Sequence, residues 1–192
     1  MGFVSDSVRT WHPEYYSIET YPADRVARIH KVDQQWGDFS NFGRIPVTLD
    51  GVVFSTSERL YQIMKFSDPE ARKAVYAARQ PKMQAKHQFK LGKQRADWGR
   101  YLVDAMKFCL MRKWEQSEKF RTELASTQGL FIVEDQTTFP GEYANSWGAK
   151  LSADGKSFVG PNLLGRLLME LRDNGRLDYE LPAEYVDFSD LR

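Results

Sequence analysis

The residue types best spaced to do chemistry lie in STSERLYQIMKF, residues 55–66. At 100° per residue, Glu58, Gln62 and Lys65 share one helical stripe with Tyr61 at its edge, while Leu60, Ile63 and Met64 fall on the opposite side. A helix so patterned buries its apolar side and shows a carboxylate, an amide and an amine to one small volume. A carboxylate there can stabilise a developing cation or activate water, and an amine can act as acid, base or nucleophile. On this helix alone a solvated face of ordinary side-chain pairs stays open as the alternative.

The surrounding elements must hold that stripe. Thr56 or Ser57 can cap the helix, and Glu58 in the first turn suits its dipole. Residues 45–54, IPVTLDGVVF, predict a β-hairpin with Asp50-Gly51 in a type I′ turn, which leads directly into the helix. Upstream, residues 25–32 alternate as a strand and WGDFSNF, residues 36–42, carries turn chemistry. Downstream, Asp68-Pro69 starts a helix running to about Arg79. Residues 82–95 are basic and uninterrupted by acid, with Lys90, Lys93 and Arg95 as a candidate phosphate clamp and a solvated helix face as the alternative.

The span 97–114 predicts a long helix whose apolar stripe includes Trp98, Leu102, Met106 and Cys109, so Cys109 reads as a core residue, not a nucleophile. Residues 117–126 continue as another helix, and 130–133 form a short buried strand ending at Glu134. Residues 135–160 are expected to be an irregular loop or hairpin around Trp147-Gly148. Asn162 then caps a helix of clear leucine periodicity that stops at Gly175. The expected fold is mainly α, of the α+β class, in one domain spanning residues 25–175. Residues 1–24 read as an N-terminal extension and 176–192 as an acidic tail.

Composition narrows the function classes. The 192 residues carry a net charge of +1, 42% hydrophobic residues and 14% aromatics, which suits a cored globular chain without a global basic field. One cysteine excludes an internal disulfide. The N-terminus shows no charged start followed by an apolar stretch, and a cytoplasmic, membrane-free location is expected. His12, His30 and His87 lack metal-site spacing, so no metal is expected, and phosphate-loop, GxGxxG and GxSxG motifs are absent. No cofactor is called for.

The segments GDFSNF (37–42), DGVVFSTSERLYQIMKF (50–66), RADW (95–98), FIVED (131–135), WG (147–148) and GPNLLGRLLMELR (160–172) together resemble the NADAR, or YbiA-like, family over roughly residues 36–173. The resemblance implies a helix-rich fold and an N-glycosidase that works without metal. Known members cleave the ribose C–N bond of riboflavin-pathway intermediates; others remove ADP-ribose from guanine in DNA or RNA, opposing a DarT-like ADP-ribosyltransferase. Position by position, Glu58 matches the family's essential glutamate, Lys65 the lysine of its KF pair, Trp98 and Trp147 its DW and WG tryptophans, and Asn162 and Gly165 its GxNxLG signature. Arg59 departs from the family by replacing a His, and Trp114 by replacing a Phe. Arg59 would put a fixed positive charge beside Glu58.

Scission of an N-ribosyl bond builds positive charge on the anomeric carbon, which a carboxylate stabilises. Glu58 is the first candidate and Glu134 the second, while Lys65 could form a Schiff base with the ring-opened sugar if desolvation lowers its pKa. Trp147, Phe39 and Trp98 could stack on a base, with a core role as the alternative for Trp98. Asn162, with Gly165 one turn in, could expose backbone N–H groups to phosphate or simply cap the helix. Asn41, Gln62 and Gly148 complete the expected substrate contacts. The competing class is a non-catalytic module that binds NAD- or ADP-ribose-derived ligands.

Overall fold

The computed structural model describes residues 2–141 and 146–192. It is mainly α, of the α+β class. In chain order the elements are α1 (Phe3–Trp11), β1 (Glu19–Pro22), β2 (Val26–Ile29), β3 (Val47–Leu49), β4 (Val52–Phe54), α2 (Ser57–Met64), α3 (Pro69–Ala77), α4 (Pro81–Lys90), α5 (Trp98–Gln116), α6 (Glu118–Ala125), β5 (Phe131–Glu134), β6 (Lys150–Leu151), β7 (Ser157–Gly160) and α7 (Leu163–Asn174). Among the described residues no helix is long and apolar enough to cross a membrane. The chain forms two compact units, Met1–Ser40 with Glu118–Leu177, and Asn41–Ser117 with Asp178–Arg192.

In the first unit β1 pairs antiparallel with β7, which pairs with β6, and β2 runs parallel to β5 with Ile29 opposite Glu134. The leucine stripe of α7, from Leu163 to Leu171, is buried, and the helix packs on β5. Gly165 makes that approach possible, because a Cβ there would overlap the Ile132 carbonyl oxygen and the Asn162 amide. The N-terminal stretch expected to lie on the domain instead contributes α1 and a sheet strand. Tyr21 of β1 packs with Val133, Ala149 and Phe158. A four-residue strand with one buried apolar side chain leaves little periodicity to read. The loop-or-hairpin region resolves into β6 and β7, and residues 142–145 within it lie outside the described residues.

In the second unit Asp50 and Gly51 both take positive φ, 49° and 82°, as a type I′ turn requires, and β4 feeds α2. Thr56 caps α2 by accepting from Arg59 N at 3.2 Å, and Asp68 caps α3 by accepting from Ala71 N at 2.7 Å. Helix α2 packs against α3, α4 and α5. The C-terminal stretch expected as a tail is part of this unit. Tyr185 and Phe188 are fully buried, and Asp190 takes two guanidinium nitrogens of buried Arg72 at 2.9 Å each. Its acidic composition hid these aromatic anchors.

Gly165→Ala tests the α7–β5 approach. The overlap with backbone should cost at least about 2 kcal/mol, seen as a fall in melting temperature of about 5 °C or more.

Candidate active site

Burial makes the α2 stripe unusual. Glu58 is 6% exposed and Gln62 4%, so neither belongs to a solvated face. A buried carboxylate is stable only if its lone pairs are met. Gln62 Nε2, one turn on, donates to Glu58 Oε1 at 2.8 Å, and the helix N-terminus adds its positive dipole end. Asn41 fixes the entry to the helix. Its carbonyl accepts from Glu58 N at 2.8 Å and its side-chain oxygen from Ser57 Oγ at 3.1 Å, while Nδ2 lies 3.0 Å from Met106 Sδ. Of the two residues expected to touch substrate, Gln62 thus donates to the Glu58 carboxylate, while the Asn41 side chain is engaged by Ser57 and Met106 and its carbonyl by the Glu58 backbone.

Lys65 closes the stripe at the C-terminal end of α2. Its ammonium lies 5.2 Å from the Tyr61 ring centroid and 5.7 Å from that of Trp98. Tyr61 and Trp98 meet edge-on at 5.2 Å. The two aromatic walls replace water around the amine, and this desolvation lowers its pKa from 10.5 to about 8. Glu58 opposes the shift, and Lys82 and Lys86 add to it. A pKa of about 8 leaves roughly a tenth of the amine neutral at pH 7, some two orders of magnitude more than an ordinary lysine. Trp98, 3% exposed, is thus both a core residue and the wall of the Lys65 environment.

The cations acting on Lys65 are Lys82 and Lys86, while the residues expected as a phosphate clamp are placed as follows. Lys90 is exposed, Lys93 pairs with Asp68 at 3.0 Å, and Arg95 sits 4.1 Å over the Tyr185 ring and donates to the Glu184 carbonyl at 2.8 Å. Arg59 also departs from expectation. Its guanidinium donates to Ser55 Oγ at 3.1 Å and to the carbonyls of Val75 and Tyr76, at the end of α3, so its charge serves the negative end of that helix dipole. Burial lowers its pKa. Cys109 is fully buried, 3.8 Å from Met64 Sδ, and burial followed by the Glu58 charge drives its pKa well up, which leaves it a core thiol.

The remaining candidates belong to the first unit. Asn162 takes φ 50°, and its side chain does not cap α7. Instead it replaces a missing strand neighbour: Oδ1 accepts from Glu134 N at 3.0 Å and Nδ2 donates to Ile132 O at 2.8 Å. The N–H groups of Asn162, Leu163 and Leu164 go to the carbonyls of Gly148, Ser146 and Trp147, each at 3.0 Å, so these three donors are taken up within the fold. Gly148 is a packing glycine like Gly165, since a Cβ would overlap the Glu134 carbonyl. Phe39 is fully buried, stacked on Trp36 and edge-on to Phe120, and cannot serve as a platform for a base. Trp147 is half-buried, as is Glu134, whose backbone is held by Asn162 and Ala149. Among the described residues no group of three or more His, Cys, Asp or Glu side chains is gathered to hold a metal.

The residues missed from sequence are Tyr61 as a wall of Lys65, the pair Lys82 and Lys86, and Tyr185 behind Trp98. For Tyr61 the signal was present, since it stands four residues before Lys65.

An α+β chain with a carboxylate and a desolvated amine on one buried helix invites comparison with known proteins. Residues 28–176 match the NADAR domain, and the chain belongs to that family. N-glycosidase YbiA of Escherichia coli (strain K12) is 32% identical over 161 residues, covering 81% of this chain and 92% of its own. A riboflavin biosynthesis protein of Vibrio vulnificus is 27% identical over 99% of this chain, which spans 47% of that larger protein. The NMR structure of E. coli YbiA matches with a TM-score of 0.62 at 31% identity, over 79% of this chain and 84% of that one.

The depressed Lys65 pKa carries a stability consequence. Between about pH 8 and 10.5 the unfolded chain holds a proton that the native amine has released, so the Lys65 contribution to stability rises with pH across this window. Lys65→Met, which removes the buried ammonium, should be more stable than the parent at pH 7 by on the order of 1 kcal/mol, allowing for partial exposure. The difference should shrink towards zero by pH 10.5 in urea unfolding.

Proposed function

We propose that this chain is an N-glycosidase that hydrolyses an N-ribosyl bond with Glu58 and Lys65 as the reacting groups and without a metal. The observation that supports it most is the pairing of a buried carboxylate with an amine whose pKa is near 8 on one helix face. A binding module gains nothing from desolvating an amine, whereas a nucleophile or proton donor does. The names of the N-glycosidase relatives support the same reaction type.

Two routes use these groups. In the first, Glu58 takes a proton from water as it adds to the anomeric carbon, the C–N bond breaks, and the departing nitrogen is protonated by the Lys65 ammonium. In the second, neutral Lys65 attacks that carbon, the base leaves with a proton, and the resulting imine on the opened sugar is hydrolysed to the free sugar and amine.

For substrate, the Vibrio relative's riboflavin name supports a phosphoribosylamino-pyrimidine, whose phosphate Lys82 and Lys86 could meet. Removal of ADP-ribose from guanine in nucleic acid is the second reading. It is favoured by residues 71–96, which carry eight Lys or Arg and no acid.

Incubation with the phosphoribosylaminouracil intermediate and, separately, with an ADP-ribosylated guanine oligonucleotide should release base from one of them. Glu58→Gln should keep the fold by circular dichroism and lose at least about 100-fold in kcat/KM; full activity in that variant ends the proposal. Borohydride should trap a sugar adduct on Lys65 under the second route, and its absence leaves only the first.

A further inference from the structure

The C-terminal segment after α7 lies beyond the residues matched by the family, yet among the described residues it supplies the largest fully buried side chain, Tyr185. The Tyr185 ring stacks on Trp98 at 6.4 Å and 13°, leans on Tyr101 at 5.1 Å, and carries the Arg95 guanidinium on its face. Its hydroxyl donates to Asp97 Oδ1 at 2.8 Å, at the residue just before α5. The same indole also meets Tyr61 and Lys65. The segment is anchored independently by Phe188, edge-on to Phe54 at 5.0 Å, and by the Arg72–Asp190 ion pair.

We propose that Tyr185 is a positioning residue for Lys65, acting through Trp98: it holds the indole in the place where it walls the ammonium off from water. Trp98 has no other aromatic behind it among the described contacts, so loss of the Tyr185 ring lets the indole tilt and admits solvent to the amine. The charged and titratable groups acting on Lys65 are Glu58 and Tyr61 from α2 and Lys82 and Lys86 from α4. The groups acting on Tyr185 are Asp97, Arg95 and Tyr101, so the stack and the freed charges must be separated experimentally. The catalytic consequence rests on the N-glycosidase reading; the titration of Lys65 does not.

The test is competitive reductive methylation of the full chain across pH, with Lys65 followed by peptide mass spectrometry, which needs no substrate. Tyr185→Leu and Tyr185→Met remove the ring and should raise the Lys65 pKa by about one unit, a roughly tenfold loss of neutral amine at pH 7. Tyr185→Met keeps most of the volume and serves if Tyr185→Leu does not fold. Tyr185→Phe keeps the stack, frees Asp97, and should restore the parental titration. A folded ring-less variant with an unshifted Lys65 overturns the proposal. So does a Tyr185→Phe shift as large as that of Tyr185→Leu, which would assign the effect to Asp97. If the variants shift Lys65 as expected while kcat/KM stays at the parental value, the positioning role stands and the catalytic use of Lys65 falls.

Discussion

A carboxylate taken out of water on a helix that is packed by three others is the constraint on which the second unit depends. An uncompensated buried charge costs several kcal/mol, more than a typical side-chain contact returns. The chain meets that demand locally. Gln62 donates from one turn on, the α2 N-terminus faces the same volume, and Asn41 fixes the backbone entry. Each of these polar atoms is spent on Glu58, which leaves the carboxylate oriented before any ligand arrives. Preorganisation of this kind is what gives a charged group its catalytic leverage.

The amine at the other end of the stripe obeys the opposite logic. Where Glu58 is met by a hydrogen-bond donor, Lys65 is placed against two aromatic rings that offer only weak attraction to a cation in exchange for lost hydration. Lys82 and Lys86 push further in the same direction. One helix thus holds a hydrogen-bonded carboxylate and a desolvated amine in two different environments.

The first unit achieves its order by close backbone approach. Gly148 and Gly165 let a loop and a helix come down on β5, and Asn162 supplies from its side chain the hydrogen bonds that a neighbouring strand would otherwise make. Glu134 and Trp147 are placed by this scaffold through their backbones. The Asn162 and Gly165 side-chain positions of the GxNxLG signature accordingly have architectural roles here.

Much of this was legible in the residues themselves. The Asp50-Gly51 turn, the Thr56 and Asp68 caps, the leucine stripe ending at Gly175 and the shared face of Glu58, Gln62 and Lys65 are all decided within a turn or two of chain, where local sterics and hydrogen bonding act. Only the tertiary structure decided that Arg59 turns to the end of α3, that Phe39 is sealed between Trp36 and Phe120, that Asn162 clamps a strand, and that Tyr185 stands behind Trp98. The physical reason is the same in each case. The partner lies 16 or more residues away, or burial rather than residue type sets the outcome, and neither separation in space nor loss of water is encoded in the spacing of one short stretch.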